Sequence, residues 1–295
     1  MNHSDVLPRH VTVPSILAAR EHSRRLVMVT ACDTPTGRAA DQAGVDLVLV
    51  GDSLAMVALG HPDTLSIGLD EMLHHTAAVS RGVRRALVVG DMPFLSYHTG
   101  WQDAVRAAGR FIREGRSHAV KLEGGRRRVD IIRALRDAEI PVMGHVGLTP
   151  QSTHVLGGYR VQGREVERAE EVFEDALAVA GAGAFCVVLE GIPSELAAAI
   201  TRELPVPTIG IGAGPDCDGQ VLVFHDLVGW SGTGPSPRFV RRYAELERDV
   251  TTAIAAFAAD VRDGSYPAPE ESYATPTAVS RHLEARHPRR RREKA

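Results

Sequence analysis

Cysteine is scarce in this 295-residue chain, and the three that occur lie far apart. Cys32, Cys186 and Cys217 share no C-x-x-C spacing, which argues against a disulfide framework and against a zinc knot. An excess of one charge is missing too. The formal net charge of −3 excludes a global electrostatic preference for nucleic acid or for an anionic membrane surface. No run approaches the roughly 18 apolar residues of a membrane-spanning helix, and the opening MNHSDVLPRHVTVPS has no apolar core of the signal-peptide kind. The composition, 44% hydrophobic and 24% charged, is that of a globular protein long enough for a sizeable core. A cytoplasmic protein without membrane or nucleic-acid partners is the expectation.

What the chain does have is a repeated grammar. Val45 to Val50 is a mostly β-branched run with little polar alternation, the pattern of a strand buried on both faces of a parallel sheet, and it stops at Gly51-Asp52-Ser53. Ala86-Leu87-Val88-Val89-Gly90-Asp91 repeats it and again ends Gly-Asp. Around these, strands and helices alternate. A helix from Thr12 to Arg25 is capped by Thr12 with Pro14 in its first turn, and a strand follows over Leu26–Ala31. Further strands are read at 118–123, 140–146, 184–190, 207–212 and 220–226. Helices are read at 69–81, 101–114, 129–138, 165–180, 195–203 and 239–262. About eight strands, nearly all separated by helices and with no composition break, fit a (β/α)8 barrel better than an open doubly wound sheet. The open sheet is the runner-up, but its only dinucleotide-type signature, Gly210-Ile211-Gly212-Ala213-Gly214, follows the seventh strand rather than the first. One barrel domain with its flanking helices over 1–265 is expected. The Pro-, Glu-, Ser- and Thr-rich stretch 266–295, ending in Arg289 to Arg292, reads as a disordered, solvated basic tail.

In a barrel the carboxyl ends of the strands converge, so their polar residues belong together: Asp33, Asp52, Ser53, Asp91, Lys121, Glu123, His145, Glu190, His225 and Asp226. Singly, an Asp or Ser at such a place can simply cap the next helix. As a set they point to function. Lys121 and Glu123, two apart on one strand, share a face; Val120 and Leu122 take the other and pack on the helices. The carboxylates of Asp52, Asp91 and Glu123 are hard oxygen donors with little His or Cys nearby, a set suited to Mg²⁺. Glu190 closes the apolar run Phe185–Leu189, a desolvated setting for a general base. His145 reads as a wall of the pocket or as a satisfied core histidine.

VGDSLAM, GHPDTL, HHTAAVSRG, GDMPFLSY, VKLEGG, PVMGHVGLTPQS, GGYRVQGR, VLEGIPSELA and IGIGAGPDCDGQVLV occur in that order from about Thr12 to Pro267. Through them the chain resembles the ketopantoate hydroxymethyltransferase family of phosphoenolpyruvate/pyruvate-type barrels. The mutase and lyase relatives carry a K-K-C-G-H-type loop where this chain has Lys121-Leu122-Glu123-Gly124-Gly125. The resemblance implies one Mg²⁺ per subunit on Asp52 and Asp91, with Glu123 completing the site directly or through water. It implies that Asp52, Ser53, Asp91 and Lys121 receive the substrate, and that Glu190 is the proton acceptor. The activity implied is hydroxymethyl transfer from 5,10-methylenetetrahydrofolate, a co-substrate, to 3-methyl-2-oxobutanoate through a metal-stabilised enolate, giving 2-dehydropantoate in pantothenate biosynthesis. A homo-oligomer, often a decamer, is implied as well. Cys32 stands where the family has tyrosine, and the Gly-His-Ile-Pro-Lys-Phe segment is Gly234-Pro235-Ser236-Pro237-Arg238-Phe239 here. Placed near the substrate, Cys32 would widen the pocket, so a paralogue acting on another branched 2-oxo acid is the main alternative. A non-catalytic barrel and a nicotinamide-dependent dehydrogenase are the others.

Overall fold

The apolar runs become strands buried along their whole length. These are Leu47–Val50 (β2), Leu87–Asp91 (β3) and Ala119–Glu123 (β4), joined by Leu26–Thr30 (β1), Val142–Gly147 (β5), Cys186–Glu190 (β6), Thr208–Ile211 (β7) and Gly219–Leu222 (β8). All eight pair in parallel, in sequence order, and β8 returns to β1, closing the barrel. The computed structural model describes residues 10–231 and 236–287.

Side-chain alternation divides the interior in two. Met28, Leu47, Leu49, Leu87, Val89, Met143, Val188, Ile209 and Val221 point inward and fill the barrel. Val48, Val50, Val88, Val120, Leu122, Val187 and Leu189 point outward and pack under the surrounding helices. Val120 and Leu122 thus take the helix side, and Lys121 and Glu123 are left to the barrel's interior. Glycine permits close strand–helix contacts: a Cβ on Gly90 would lie 2.4 Å from Phe111 Cδ1, and one on Gly144 2.1 Å from Val179 Cγ1.

The first helix is Val13–Glu21, with Thr12 as its N-cap and Pro14 in its first turn. The strand expected over 220–226 is shorter: β8 ends at Leu222, and Phe224–Val228 is a helix carrying His225 and Asp226. Its first free N–H, that of Phe224, donates to Thr30 Oγ1 at 2.9 Å, a partner supplied by β1 that no local pattern announces. The last long helix spans Leu246–Asp263 rather than starting at Phe239, and ends at Gly264 in the left-handed conformation.

The chain divides into two compact units, Met1–Ala244 and Glu245–Ala295. Within the second unit the helix Leu246–Asp263 has no buried residue. Part of the stretch read as a disordered tail is helical, Thr277–Arg286, with Pro276 just before it to start the turn. Arg289 to Arg292, Gly234 and Pro235 lie outside the described residues. Among those described, no helix is long and apolar enough to cross a membrane.

Candidate active site

Strand register builds the charged centre. In the β3–β4 ladder Asp91 is the partner of Lys121, and in the β4–β5 ladder Glu123 is the partner of His145. Lys121 and Glu123 therefore each meet a polar neighbour from the adjacent strand. Lys121 Nζ lies 2.7 Å from Asp91 Oδ1, 3.8 Å from Glu123 Oε1 and 3.4 Å from His145 Nδ1. On its far side His145 places Nε2 3.2 Å from Glu190 Oε2, one strand on. All of these but Glu190 are almost wholly buried, and the Glu190 side chain remains 19% exposed.

These groups share a cavity of about 670 Å³, whose lining also includes Thr30, Asp52, Ser53, Tyr159 and Trp230. Ser53 stands at the N-cap position of the short helix Leu54–Val57, but neither it nor Asp52 caps that helix through its side chain. The Ser53 hydroxyl makes no capping hydrogen bond, and the Asp52 carboxylate accepts from Gln151 Nε2 at 2.9 Å. Asp33 takes the capping role instead, accepting from the Thr36 N–H at 2.8 Å at the start of the helix Thr34–Gln42. Cys32 is the correction. It does not line the cavity but packs in the helix-side core, and its backbone carbonyl contacts His75 Nδ1 at 2.6 Å. By alternation Cys32 would share the face of Thr30, two back, which does reach the cavity, but β1 ends at Thr30 and Asp33 already caps the next helix, so the turn carries Cys32 off that face.

Electrostatics follow from this burial. Burial drives the Asp52 carboxyl well above its ordinary range, and the nearby Asp91 and Glu123 charges add to it. Burial pushes Lys121 down, but the Asp91, Glu123 and Asp52 carboxylates outweigh it and hold the ammonium charged. For His145, burial and Lys121 press downward, yet Glu123 and Glu190 lift it to about 9. Burial raises Glu123, and its His145 and Lys121 contacts bring it below its usual value.

Four carboxylates thus face one ammonium and one imidazolium, an excess of negative charge on hard oxygens. That chemistry suits a small divalent cation. Among the described residues, though, no group of three or more His, Cys, Asp or Glu side chains is arranged as a ready-made cage. The donor set fits an ion held by one or two carboxylates with substrate and water supplying the remainder, which is the usual way Mg²⁺ is bound.

Two site residues carry no signal in the pattern of strand ends. Gln151, in the turn Pro150–Ser152 after β5, donates its N–H to Glu123 Oε2 at 2.9 Å. Tyr97 donates its hydroxyl to Gln151 Oε1 at 2.6 Å and accepts from the Glu123 N–H at 3.2 Å. Both are buried loop residues in blocks that also hold Asp91 or His145; a buried glutamine that must find partners is the only clue sequence offers.

The family model described as ketopantoate hydroxymethyltransferase matches residues 10–269. A protein of Pelobacter propionicus named 3-methyl-2-oxobutanoate hydroxymethyltransferase is 55% identical over 265 residues, covering 90% of this chain and 98% of its own. One of the same name from Koribacter versatilis is 52% identical over 274 residues, covering 93% and 92%. Among solved structures, a phosphonopyruvate hydrolase superposes with a TM-score of 0.60 at 14% identity, over 94% of this chain and 99% of its own. A 2,3-dimethylmalate lyase of the PEP mutase/isocitrate lyase superfamily gives 0.57 at 20%, over 93% and 96%. At such identities these last two speak for the barrel alone. The family match across nearly the whole first unit, and relatives above half identity that carry the family's name, place the chain in the ketopantoate hydroxymethyltransferase family of enzymes.

Proposed function

We propose that the chain transfers a hydroxymethyl group from 5,10-methylenetetrahydrofolate to 3-methyl-2-oxobutanoate, giving 2-dehydropantoate in pantothenate biosynthesis. The observation that carries this reading is the line from Glu190 through His145 to Lys121. A partly exposed carboxylate, steadied at 3.2 Å by an imidazole, shares one cavity with a buried ammonium two strands away. Abstraction of a proton α to a carbonyl needs such a pair: a base at the carbon and a fixed positive charge at the oxygen.

Lys121 and Ser53 receive the carboxylate and keto oxygens of the acid. The C3 proton passes to Glu190 Oε2, and Lys121 balances the charge that develops on the keto oxygen. C3 then bonds to the one-carbon unit, water supplies the hydroxyl oxygen, and tetrahydrofolate leaves. Mg²⁺, when bound, would supply Lewis-acid charge at the keto oxygen; Asp52 and Asp91 are the residues that would hold it, with Glu123 completing the site directly or through water.

The donor has room. Liquid water takes about 30 Å³ per molecule, so a five-carbon acid displaces only a few water volumes and leaves most of the cavity free. The lining also includes half-exposed Met56, Tyr159, Trp230 and Phe239, apolar and aromatic faces on which a flat ring system stacks. Cys32 is outside this lining, which supports 3-methyl-2-oxobutanoate over a different branched acid. A cytoplasmic homo-oligomer completes the reading, on family membership alone.

The test is deuterium exchange at C3 of 3-methyl-2-oxobutanoate in the presence of Mg²⁺, run beside a panel of other 2-oxo acids. Glu190→Gln should abolish exchange and leave Mg²⁺ titration unchanged. Exchange at the wild-type rate in that variant removes Glu190 as the base. Faster turnover of another acid would reinstate the paralogue.

A further inference from the structure

Gln151 spends every polar atom of its side chain, and its backbone N–H, inside the site. Nε2 donates to Asp52 Oδ2 at 2.9 Å and to the Met92 carbonyl at 3.0 Å; Oε1 accepts from the Tyr97 hydroxyl at 2.6 Å; the N–H donates to Glu123 Oε2 at 2.9 Å. Tyr97, 1% exposed, closes a ring by accepting from the Glu123 N–H at 3.2 Å.

Donor and acceptor chemistry permits one orientation of that amide. A backbone carbonyl can only accept, so the atom facing Met92 must be the NH₂ group. The Tyr97 oxygen already accepts from Glu123, which leaves its proton for Gln151 Oε1. With the amide so fixed, its second N–H can only be offered to Asp52, and it is matched by an unprotonated carboxylate oxygen. Strand ends alone do not achieve this, because Asp52 follows β2 in a turn and Glu123 closes β4. One buried residue from the turn after β5 ties both.

We propose that Gln151 is a positioning residue that fixes the Asp52 and Glu123 carboxylates relative to one another, with the Tyr97 hydroxyl setting the amide's orientation. This rests on the reading in which Asp52 serves the 2-oxo-acid and cation end of the cavity. Gln151 acts on capture of cation and acid, and the proton transfer to Glu190 is separate from it.

Two variants test it, with Mn²⁺ and Mg²⁺ titrations of the protein and the C3 exchange assay as readouts. Gln151→Glu replaces a donor by an acceptor opposite Asp52. It should weaken cation affinity by about 10- to 100-fold, the range for residues that orient metal-binding carboxylates, and raise KM for the acid in step. Exchange at saturating cation and acid should stay within about threefold of wild type, since Glu190 and His145 are untouched. Tyr97→Phe frees the amide to turn and should shift both constants in the same direction by a smaller factor. Unchanged affinity and KM in Gln151→Glu, or a fall in saturated exchange with KM constant, overturns the proposal. Should Gln151→Glu not fold, as circular dichroism would show, Tyr97→Phe decides by the same criteria. A wild-type protein that neither binds cation nor exchanges C3 deuterium fails the underlying reading instead, so the two failures are distinguishable.

Discussion

Lys121 Nζ lies 2.7 Å from Asp91 Oδ1, and the two side chains are only 4% and 1% exposed. They are register partners on adjacent parallel strands, so the pair is imposed by the barrel itself. Burying two charges is unfavourable unless each has partners, and this ammonium also faces Glu123. Lys121→Met should therefore destabilise the metal-free protein by about 3–5 kcal/mol, because Asp91 is left buried without its counter-charge. Burial holds the Asp91 carboxyl above its ordinary value against the pull of Lys121. Without that pull it rises further and takes up a proton more readily, so the loss should shrink at lower pH. Urea unfolding of both proteins at pH 8 and pH 5 measures this, and a loss under 1 kcal/mol at pH 8 would contradict it.

Gly90 separates the helix side of β3 from Asp91, the next residue. A Cβ there would sit 2.4 Å from Cδ1 of Phe111, which is fully buried on the helix Trp101–Arg113. Gly90→Ala should cost about 1–3 kcal/mol by overpacking. Phe111→Leu, which trims the clashing ring, should recover part of that cost, so a double-mutant cycle should show coupling above about 0.5 kcal/mol. Additive losses would mean that the strand shifts as a whole instead, with a matching loss of Asp91 function.

How much of this was legible depended on whether a feature is set by period or by partner. The alternation Val120-Lys121-Leu122-Glu123 carries its own orientation, and the structure honours it: apolar residues under helices, charged ones inside. The eight strands and their closure followed from the same periodicity. Residues whose neighbours come from distant chain could not be read that way. By local pattern His225 and Asp226 continue a strand, because the N-terminal partner of their helix, Thr30, lies 194 residues earlier. Cys32 was placed by strand end, yet the chain turns at Asp33, whose side chain caps the next helix and leaves the thiol in the outer core. Gln151 and Tyr97 sit in loops, where no period applies, and only the closed ring of hydrogen bonds reveals them.

Asp41 provides a pH-sensitive clasp between the helix Thr34–Gln42 and the approach to β3. Its carboxylate accepts from three successive backbone N–H groups, those of Arg84, Arg85 and Ala86, at 3.1, 3.0 and 2.7 Å. Partial burial raises its pKa, but the three donors together outweigh that and set it below the usual carboxylate value. A depressed folded value means stability that is present above the unfolded pKa of about 4 and is lost as pH falls through the folded one. Asp41→Asn should cost about 1–2 kcal/mol at neutral pH. The difference from wild type should shrink as pH falls below about 4 and vanish at the pH where Asp41 takes up its proton in the folded chain. A difference that persists undiminished at that pH would show that shape, not charge, holds the clasp.

His145 supplies the opposite sign. With Glu123 Oε1 3.5 Å from Nδ1 and Glu190 Oε2 3.2 Å from Nε2, its two carboxylate neighbours outweigh burial and the Lys121 charge, lifting it to about 9. A raised folded value gives stability that is complete below the unfolded pKa of about 6.5 and is lost as pH climbs through the folded one. Metal-free wild type should thus lose up to about 3 kcal/mol between roughly pH 6.5 and 9, and His145→Gln should lack this slope. Glu190 then also loses its charged neighbour at high pH. Deuterium exchange at C3 should respond there in wild type, while in His145→Gln it should run slower and without that alkaline inflection. A common slope in both unfolding profiles would mean that the imidazole is neutral in the folded protein. Glu190 would then be steadied by a neutral N–H alone.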